Sequence, residues 1–207
     1  MHPVFQQLSE LRIVPVIVIH DVEKAVPLAK ALCDGGLPCA EVTFRTACAA
    51  EAIREITKAL PDMMVGAGTV LTPAQVDQAW AAGAKFMVAP GLNPDTVRYC
   101  QGKDIPMLPG VCTPSEIELA LSLGLDTLKF FPAEAAGGTN MLKSLDAPYG
   151  MVCFVPTGGL TPTNIKEYLS IKSVLACGGS WMVKDDLISS GNFEEITRLT
   201  REAVSLI

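Results

Sequence analysis

The feature that most restricts the fold of this chain is a junction that repeats. A short β-branched run is followed by glycine, then a hydroxyl or amide residue, then proline. The instances are Gly68…Thr72-Pro73, Gly91…Asn93-Pro94, Gly110…Thr113-Pro114 and Gly159…Thr161-Pro162. A Thr or Asn oxygen can accept from a free first-turn N–H, and proline suits the first helical position because no partner waits for its missing N–H. Thr72 with Gln75, and Thr113 with Glu116, also fit the reciprocal capping box. One such stretch could be an ordinary loop, but four describe a chain that alternates strand, turn and helix.

The apolar pattern agrees. Eight short runs read as strands buried on both faces: Ile13–Ile19, Ala40–Phe44, Met64–Ala67, Phe86–Ala89, Pro106–Leu108, Thr127–Phe131, Cys153–Val155 and Val174–Cys177. Between them, Val22 to Cys33, Glu51–Leu60, Ala74–Ala82, Ser115–Leu123, Asn164–Leu169 and Glu194–Leu206 follow helical spacing, with weaker helical signals near Thr96 and Met141. Strand starts lie roughly 20 to 27 residues apart, the size of one βα unit. Eight units predict an α/β chain folded as a compact (β/α)8 TIM barrel, with a short extra helix before Arg12 closing one end. The competitor is an open doubly wound sheet, which usually carries GxGxxG after its first strand; here His20-Asp21 follows instead. At 207 residues the eight units fill the chain, so residues 1–207 are expected to form a single barrel domain.

Composition narrows the function. The chain has 49% hydrophobic and 18% charged residues, too apolar and too weakly charged for disorder. Ile13 to Ile19 is far short of a bilayer span, and MHPVFQQLSELR lacks the basic start and apolar core of a signal peptide. Sixteen basic against 22 acidic residues, net −6, argue against bulk nucleic-acid binding but not against a small anionic substrate. Seven scattered cysteines without CxxC read as reduced thiols of a cytoplasmic protein, and two histidines make a histidine-rich metal site a poor expectation. No cofactor, metal, nucleic-acid or membrane partner is expected.

Lys129 is the residue the pattern does not explain, because it stands inside a central strand. A buried ammonium is costly unless an anion compensates it, and a neutral buried amine attacks carbonyls to form a Schiff base. The alternatives are a lysine tip reaching solvent at the strand end, or a structural ion pair. Glu41, Thr43 and Arg45 share one face of the second strand by the period-two rule. Together an amine, a carboxylate to move protons and a guanidinium to grip a carboxylate make coherent chemistry; a self-neutralising Glu–Arg pair is the plain alternative. Pro156-Thr157-Gly158-Gly159 and Gly178-Gly179-Ser180-Trp181 read as turns after strands seven and eight, the loops that commonly bind phosphate in such barrels. Gly66-Ala67-Gly68-Thr69 adds a hydroxyl. Trp80, Trp181, Met63, Met64 and Met87 read as packing groups, and Cys112 has no histidine nearby in sequence to activate it.

VPVIVI, EVTFRT, GAGTVLTP, APGLNP, PGVCTPSE, LKFFPAEAAGG, FVPTGGLTP and CGGSWMV together resemble the 2-keto-3-deoxy-6-phosphogluconate (KDPG) aldolase family, from about Arg12 to the C-terminus. The resemblance implies a (β/α)8 homotrimer without metal, a class I aldolase of the Entner–Doudoroff pathway. It implies Lys129 as the Schiff-base lysine and Glu41 as the acid/base. Arg45, Thr69 and the Pro90-Gly91 turn would surround the pyruvate half of a phosphorylated keto-acid substrate. Thr157 would lie beside the substrate, with Gly158, Gly159, Gly179 and Ser180 near the phosphate. Ala89 stands where the family often has serine, and Cys112 lies in a segment the family varies. A 4-hydroxy-2-oxoglutarate (KHG) aldolase, a sugar-phosphate epimerase or isomerase, and an inactive phosphate-binding barrel remain as alternatives.

Overall fold

Strand and helix alternate along the chain in the computed structural model, which describes residues 2–207. Helix α1 (Pro3–Leu11) precedes β1 (Ile13–Ile17), α2 (Ala25–Asp34), β2 (Cys39–Thr43), α3 (Ala49–Ala59), β3 (Met64–Gly68), α4 (Pro73–Ala81), β4 (Met87–Val88) and α5 (Pro94–Gln101). There follow β5 (Met107–Leu108), β6 (Gly110–Val111), α6 (Pro114–Ser122), β7 (Thr127–Phe130), α7 (Gly138–Asp146), β8 (Cys153–Pro156), α8 (Ile165–Leu169), β9 (Cys177–Gly179), α9 (Asp185–Ser190) and α10 (Phe193–Val204).

The strands are all parallel and run β5-β4-β3-β2-β1-β9 in one sheet and β6-β7-β8 in the other. Both gaps between these sheets are bridged. Pro109 separates β5 from β6 because it has no N–H to give the ladder, yet its carbonyl accepts from Lys129 N–H at 2.9 Å. On the other side Phe154 pairs with Val174 and Thr157 with Gly178. The ring is therefore closed, and the expected barrel is the observed one. Strands buried on both faces account for the continuous apolar runs of the sequence: β2 and β3 are buried at every position.

Three of the four repeated junctions cap as expected. Thr72, Asn93 and Thr113 each accept from a first-turn N–H with proline just inside the helix. Thr113 and Glu116 complete the capping box, whereas the Gln75 side chain reaches Leu71 N–H rather than that of Thr72. The fourth differs. Thr161 does not cap α8: its own N–H donates to Asn164 Oδ1 at 2.8 Å, and the helix starts after a further turn.

The last strand also departs from the expected Val174–Cys177. Arg12 Nη1 takes the carbonyls of Val174 and Leu175, both at 3.1 Å, while its Nη2 takes that of Leu169. Those residues bond to a side chain instead of to β1, and the ladder begins where Cys177 N–H meets Arg12 O at 2.8 Å. The pair Gly178-Gly179, expected as a turn, is consequently part of β9. Glycine is required there, since a Cβ at Gly178 would lie 2.3 Å from Thr157 Oγ1 and one at Gly179 would lie 1.9 Å from the Trp181 ring. Both weaker helical signals are helices, α5 and α7, and α9 is an element the apolar spacing did not reveal. The helix expected before Arg12 is α1, which buries Phe5 and Leu8.

All seven cysteines are free thiols. Burial raises Cys100 to about 11 and Cys177 to about 12, and pushes Cys39 higher still. Among the described residues no helix is long and apolar enough to cross a membrane.

Two predictions follow from this packing. An aromatic disulfide reagent at pH 8 is expected to leave Cys39, Cys100 and Cys177 unlabelled in the native protein and to label all seven thiols once it is denatured; full native labelling would contradict the burial. Gly110→Ala would put a Cβ 2.1 Å from the Pro90 carbonyl oxygen. Urea unfolding should register a loss of about 1–3 kcal/mol, as overpacking against backbone costs.

Candidate active site

Strand alternation sends Glu41 and Thr43 to one side of β2 and Val42 to the other. The same rule puts Lys129 of β7 on the barrel's inner side, paired in register with Gly110 of β6 and Val155 of β8. Three barrel strands lie between β2 and β7 in either direction around the ring, so the two side chains meet across the interior. Lys129 Nζ lies 3.3 Å from Glu41 Oε1, and the side chains are only 7% and 5% exposed. Glycine makes room for the contact: a Cβ at Gly68, the neighbour of Thr43 in register, would lie 2.2 Å from Glu41 Oε1. The ammonium also stands 5.3 Å from the centre of the Phe131 ring, an aromatic face that favours a cation. The lysine therefore does not reach out to solvent, and its neighbour is the carboxylate.

Thr69 and Pro90 stand at adjoining strand ends. Thr69 follows Gly68 with φ +55, a left-handed conformation that a β-branched residue adopts only under constraint, at a cost of about 1–3 kcal/mol. Its hydroxyl has no hydrogen-bond partner among the described residues. The Pro90 carbonyl presses against Gly110, the register partner of Lys129. Neither Thr69 nor Pro90 borders the cavity beside Arg45 and the glycine turns.

That cavity, of about 350 Å³, opens at the C-terminal strand ends. Arg45, Thr157, Gly158, Gly159, Gly179 and Ser180 border it, so the structure brings together six of the ten residues singled out from sequence. Arg45 is exposed and makes no ion pair with any described residue. The N–H groups of Gly158, Gly159 and Ser180 donate to no described group. Unpaired main-chain donors in a concave glycine turn are the natural hosts of an anion. Gly158 and Gly159 hold φ of +104 and +81, which glycine reaches without strain.

Phe131 and Lys184 are among the other residues that border the cavity. Phe131 joins it to the Lys129–Glu41 pair, and its position two residues after Lys129 on the same strand face was a usable signal. Lys184 adds a second cation, beside Asp185, in a turn with no pattern to mark it. Cys112 is half-buried at the end of β6 and gives its N–H to Glu116. Among the described residues no group of three or more His, Cys, Asp or Glu side chains is arranged to hold a metal ion. A buried amine touching a carboxylate, with an arginine and free amides at the mouth, can form an imine, move protons and bind anions at two ends.

Comparison with known proteins gives this geometry its context. The family model for KDPG and KHG aldolase matches residues 4–199. The 2-dehydro-3-deoxy-phosphogluconate aldolase of Treponema pallidum (strain Nichols) is 49% identical, covering 100% of this chain and 99% of that one. The KHG/KDPG aldolase of Escherichia coli (strain K12) is 48% identical, covering 93% and 90%. The crystal structure of KDPG aldolase from Legionella pneumophila, with pyruvate captured as a covalent carbinolamine intermediate, superposes with TM-score 0.93 at 42% identity, covering 99% and 98%. That of the Zymomonas mobilis ZM4 enzyme with 3-phosphoglycerate gives 0.91 at 43%, covering 98% and 96%. The closed parallel barrel, the amine–carboxylate pair inside it and these matches lead to one statement: the chain belongs to the KDPG and KHG aldolase family.

Proposed function

We propose that the chain, as a single barrel domain over residues 1–207, is a class I aldolase cleaving 2-dehydro-3-deoxy-6-phosphogluconate to pyruvate and glyceraldehyde 3-phosphate, with Lys129 as the imine-forming residue. The observation that carries this reading is the buried Lys129–Glu41 contact at 3.3 Å. A carboxylate against a buried amine supports a proton acceptor paired with a nucleophile inside the barrel. The carbinolamine in the Legionella relative supports the same chemistry.

Glu41 takes a proton from Lys129, and the free amine adds to the C2 ketone. Glu41 returns its proton to the hydroxyl of that adduct, which leaves as water, and the resulting iminium draws electrons from the C3–C4 bond. Glu41, directly or through one water, removes the C4 hydroxyl proton as that bond breaks, releasing glyceraldehyde 3-phosphate. The enamine left on Lys129 is protonated at C3, and water hydrolyses the imine to pyruvate and the amine. Arg45 and Thr69 hold the C1 carboxylate, with the Pro90-Gly91 turn beside the pyruvate half and Thr157 beside the substrate. Free amides at Gly158, Gly159 and Ser180, together with the Ser180 hydroxyl and with Gly179 allowing close approach, hold the phosphate. Binding at that remote end aligns the reacting bond. Within this reading the protein works in the cytoplasm, in the Entner–Doudoroff pathway, as a homotrimer. Exposed Leu71, Trp80 and Leu119 supply apolar surface for a subunit contact.

The paired substrate names of the family model and of the E. coli relative favour a second activity, cleavage of 4-hydroxy-2-oxoglutarate. Its imine steps are identical, and the phosphate end stays idle.

Two measurements test these assignments. Pyruvate release should fall to background in Lys129→Arg, and by about 10²- to 10⁴-fold in Glu41→Gln, the usual contribution of a general acid/base. An active Lys129→Arg enzyme would remove the imine mechanism. Ser180→Ala should raise KM for the phosphorylated substrate and leave turnover of 4-hydroxy-2-oxoglutarate unchanged; equal losses on both would remove Ser180 from the phosphate end.

A further inference from the structure

The loop between β7 and α7 carries a carboxylate that the proposed chemistry leaves unused. Glu134 Oε1 accepts a hydrogen bond from Tyr168 Oη. Tyr168 lies in α8 and is 0% exposed. Its burial, and then the Glu134 carboxylate, push the phenol well above its ordinary range, so it remains a donor at any working pH.

The main chain of the same loop grips the glycine turn of the cavity. Ala133 N–H donates to the Thr157 carbonyl at 2.8 Å, and Glu134 N–H donates to the Gly158 carbonyl at 3.0 Å. In a trans peptide the C=O and the following N–H point in opposite directions. Drawing the Thr157 and Gly158 carbonyls toward the loop therefore turns the Gly158 and Gly159 N–H groups away from it. Those are two of the donors left without a partner among the described residues, and both border the cavity. The Glu134 side chain then crosses Gly159 closely: a Cβ there would lie 2.7 Å from Glu134 Cβ and Cγ. Its far end is fixed on α8, the helix that follows the turn. Two main-chain bonds thus tie the loop to the turn, and the Glu134 side chain ties both to α8.

We propose that Glu134 is a positioning residue, which anchors the β7–α7 loop to Tyr168 and so aims the Gly158 and Gly159 amides at the substrate's phosphate. The proposal rests on the aldolase reading above. It assigns Glu134 no contact with substrate.

Steady-state kinetics on Glu134→Ala, Tyr168→Phe and Glu134→Gln test it, with both keto acids as substrates and inorganic phosphate as competitive inhibitor. Glu134→Ala and Tyr168→Phe are expected to raise KM for the phosphorylated substrate, and Ki for phosphate, by about tenfold or more, the scale of a lost charge-assisted bond. Their kcat on that substrate and their kinetics on 4-hydroxy-2-oxoglutarate should hold. Glu134→Gln should restore both constants, because its amide oxygen still accepts from Tyr168. Equal losses on the two substrates, an unchanged Ki for phosphate, or failure of the Gln variant to rescue would overturn the proposal. If Glu134→Ala does not fold, Tyr168→Phe gives the same readout. Wild-type protein cleaving neither keto acid would defeat the aldolase reading. Wild-type cleavage with unaltered phosphate inhibition in both variants would defeat this inference alone.

Discussion

An ammonium and a carboxylate 3.3 Å apart, both nearly sealed from water, are the contact on which the rest of this molecule is arranged. Bringing two charges indoors costs several kcal/mol per ion unless each finds the other, and removing one partner of such a pair typically costs about 3–5 kcal/mol. The closed ring is what makes the meeting possible, because β2 and β7 lie far apart in sequence and on opposite sides of the barrel. Arg12 and the Pro109 carbonyl both serve that closure, one where the first strand meets the last and one where β5 gives way to β6. Gly68 leaves the space that the Glu41 carboxylate occupies, and Gly110 lets the Pro90 turn come down over the strand beside Lys129. A contact with so much fold around it is poor as a stabilising device and well suited as a reactive one. A well-packed apolar pair would stabilise the barrel at least as well.

Around this centre the chain stores conformations that favour binding over stability. Thr69 is held left-handed at the end of β3, and Gly158 and Gly159 are held with positive φ at the end of β8. At each place the main chain or a hydroxyl is left without a partner among the described residues. Arg45 likewise stands exposed at the cavity without an acidic partner. Unsatisfied polar groups gathered at one end of an otherwise well-bonded barrel suit the proposed substrate, a molecule with two anionic ends. The two ends differ in kind: a guanidinium fork suits a carboxylate, and a ring of amides suits a phosphate.

Much of this was readable from sequence because strand and helix periods differ and the turns carry distinctive residues. The capping threonines and prolines located the βα units, and the apolar runs located seven of the eight barrel strands within a few residues. The last was displaced because Arg12, far away in the chain, takes carbonyls that a strand reading assigns to the ladder. A local pattern carries no trace of such a contact. Lys129 was conspicuous because a charge is out of place in a buried strand, and Glu41 because the period-two rule put it on a polar face. That the two touch depends on ring closure, which no spacing encodes. Gly178-Gly179 looked like a turn because glycine pairs usually are; in β9 they answer instead to the close approach of Thr157 and Trp181. Glu134 and Lys184 lay in segments without periodicity, so only the folded arrangement distinguishes them from surface charges.

The central claim is that Lys129 is the amine that reacts with the keto group. Incubating the protein with pyruvate and sodium borohydride, then mapping the reduced adduct by peptide mass spectrometry, addresses that amine directly. One pyruvyl group per chain, on the peptide containing Lys129 and absent from Lys129→Arg, is the result this account predicts. No adduct, or an adduct on any of the other nine lysines, would contradict it.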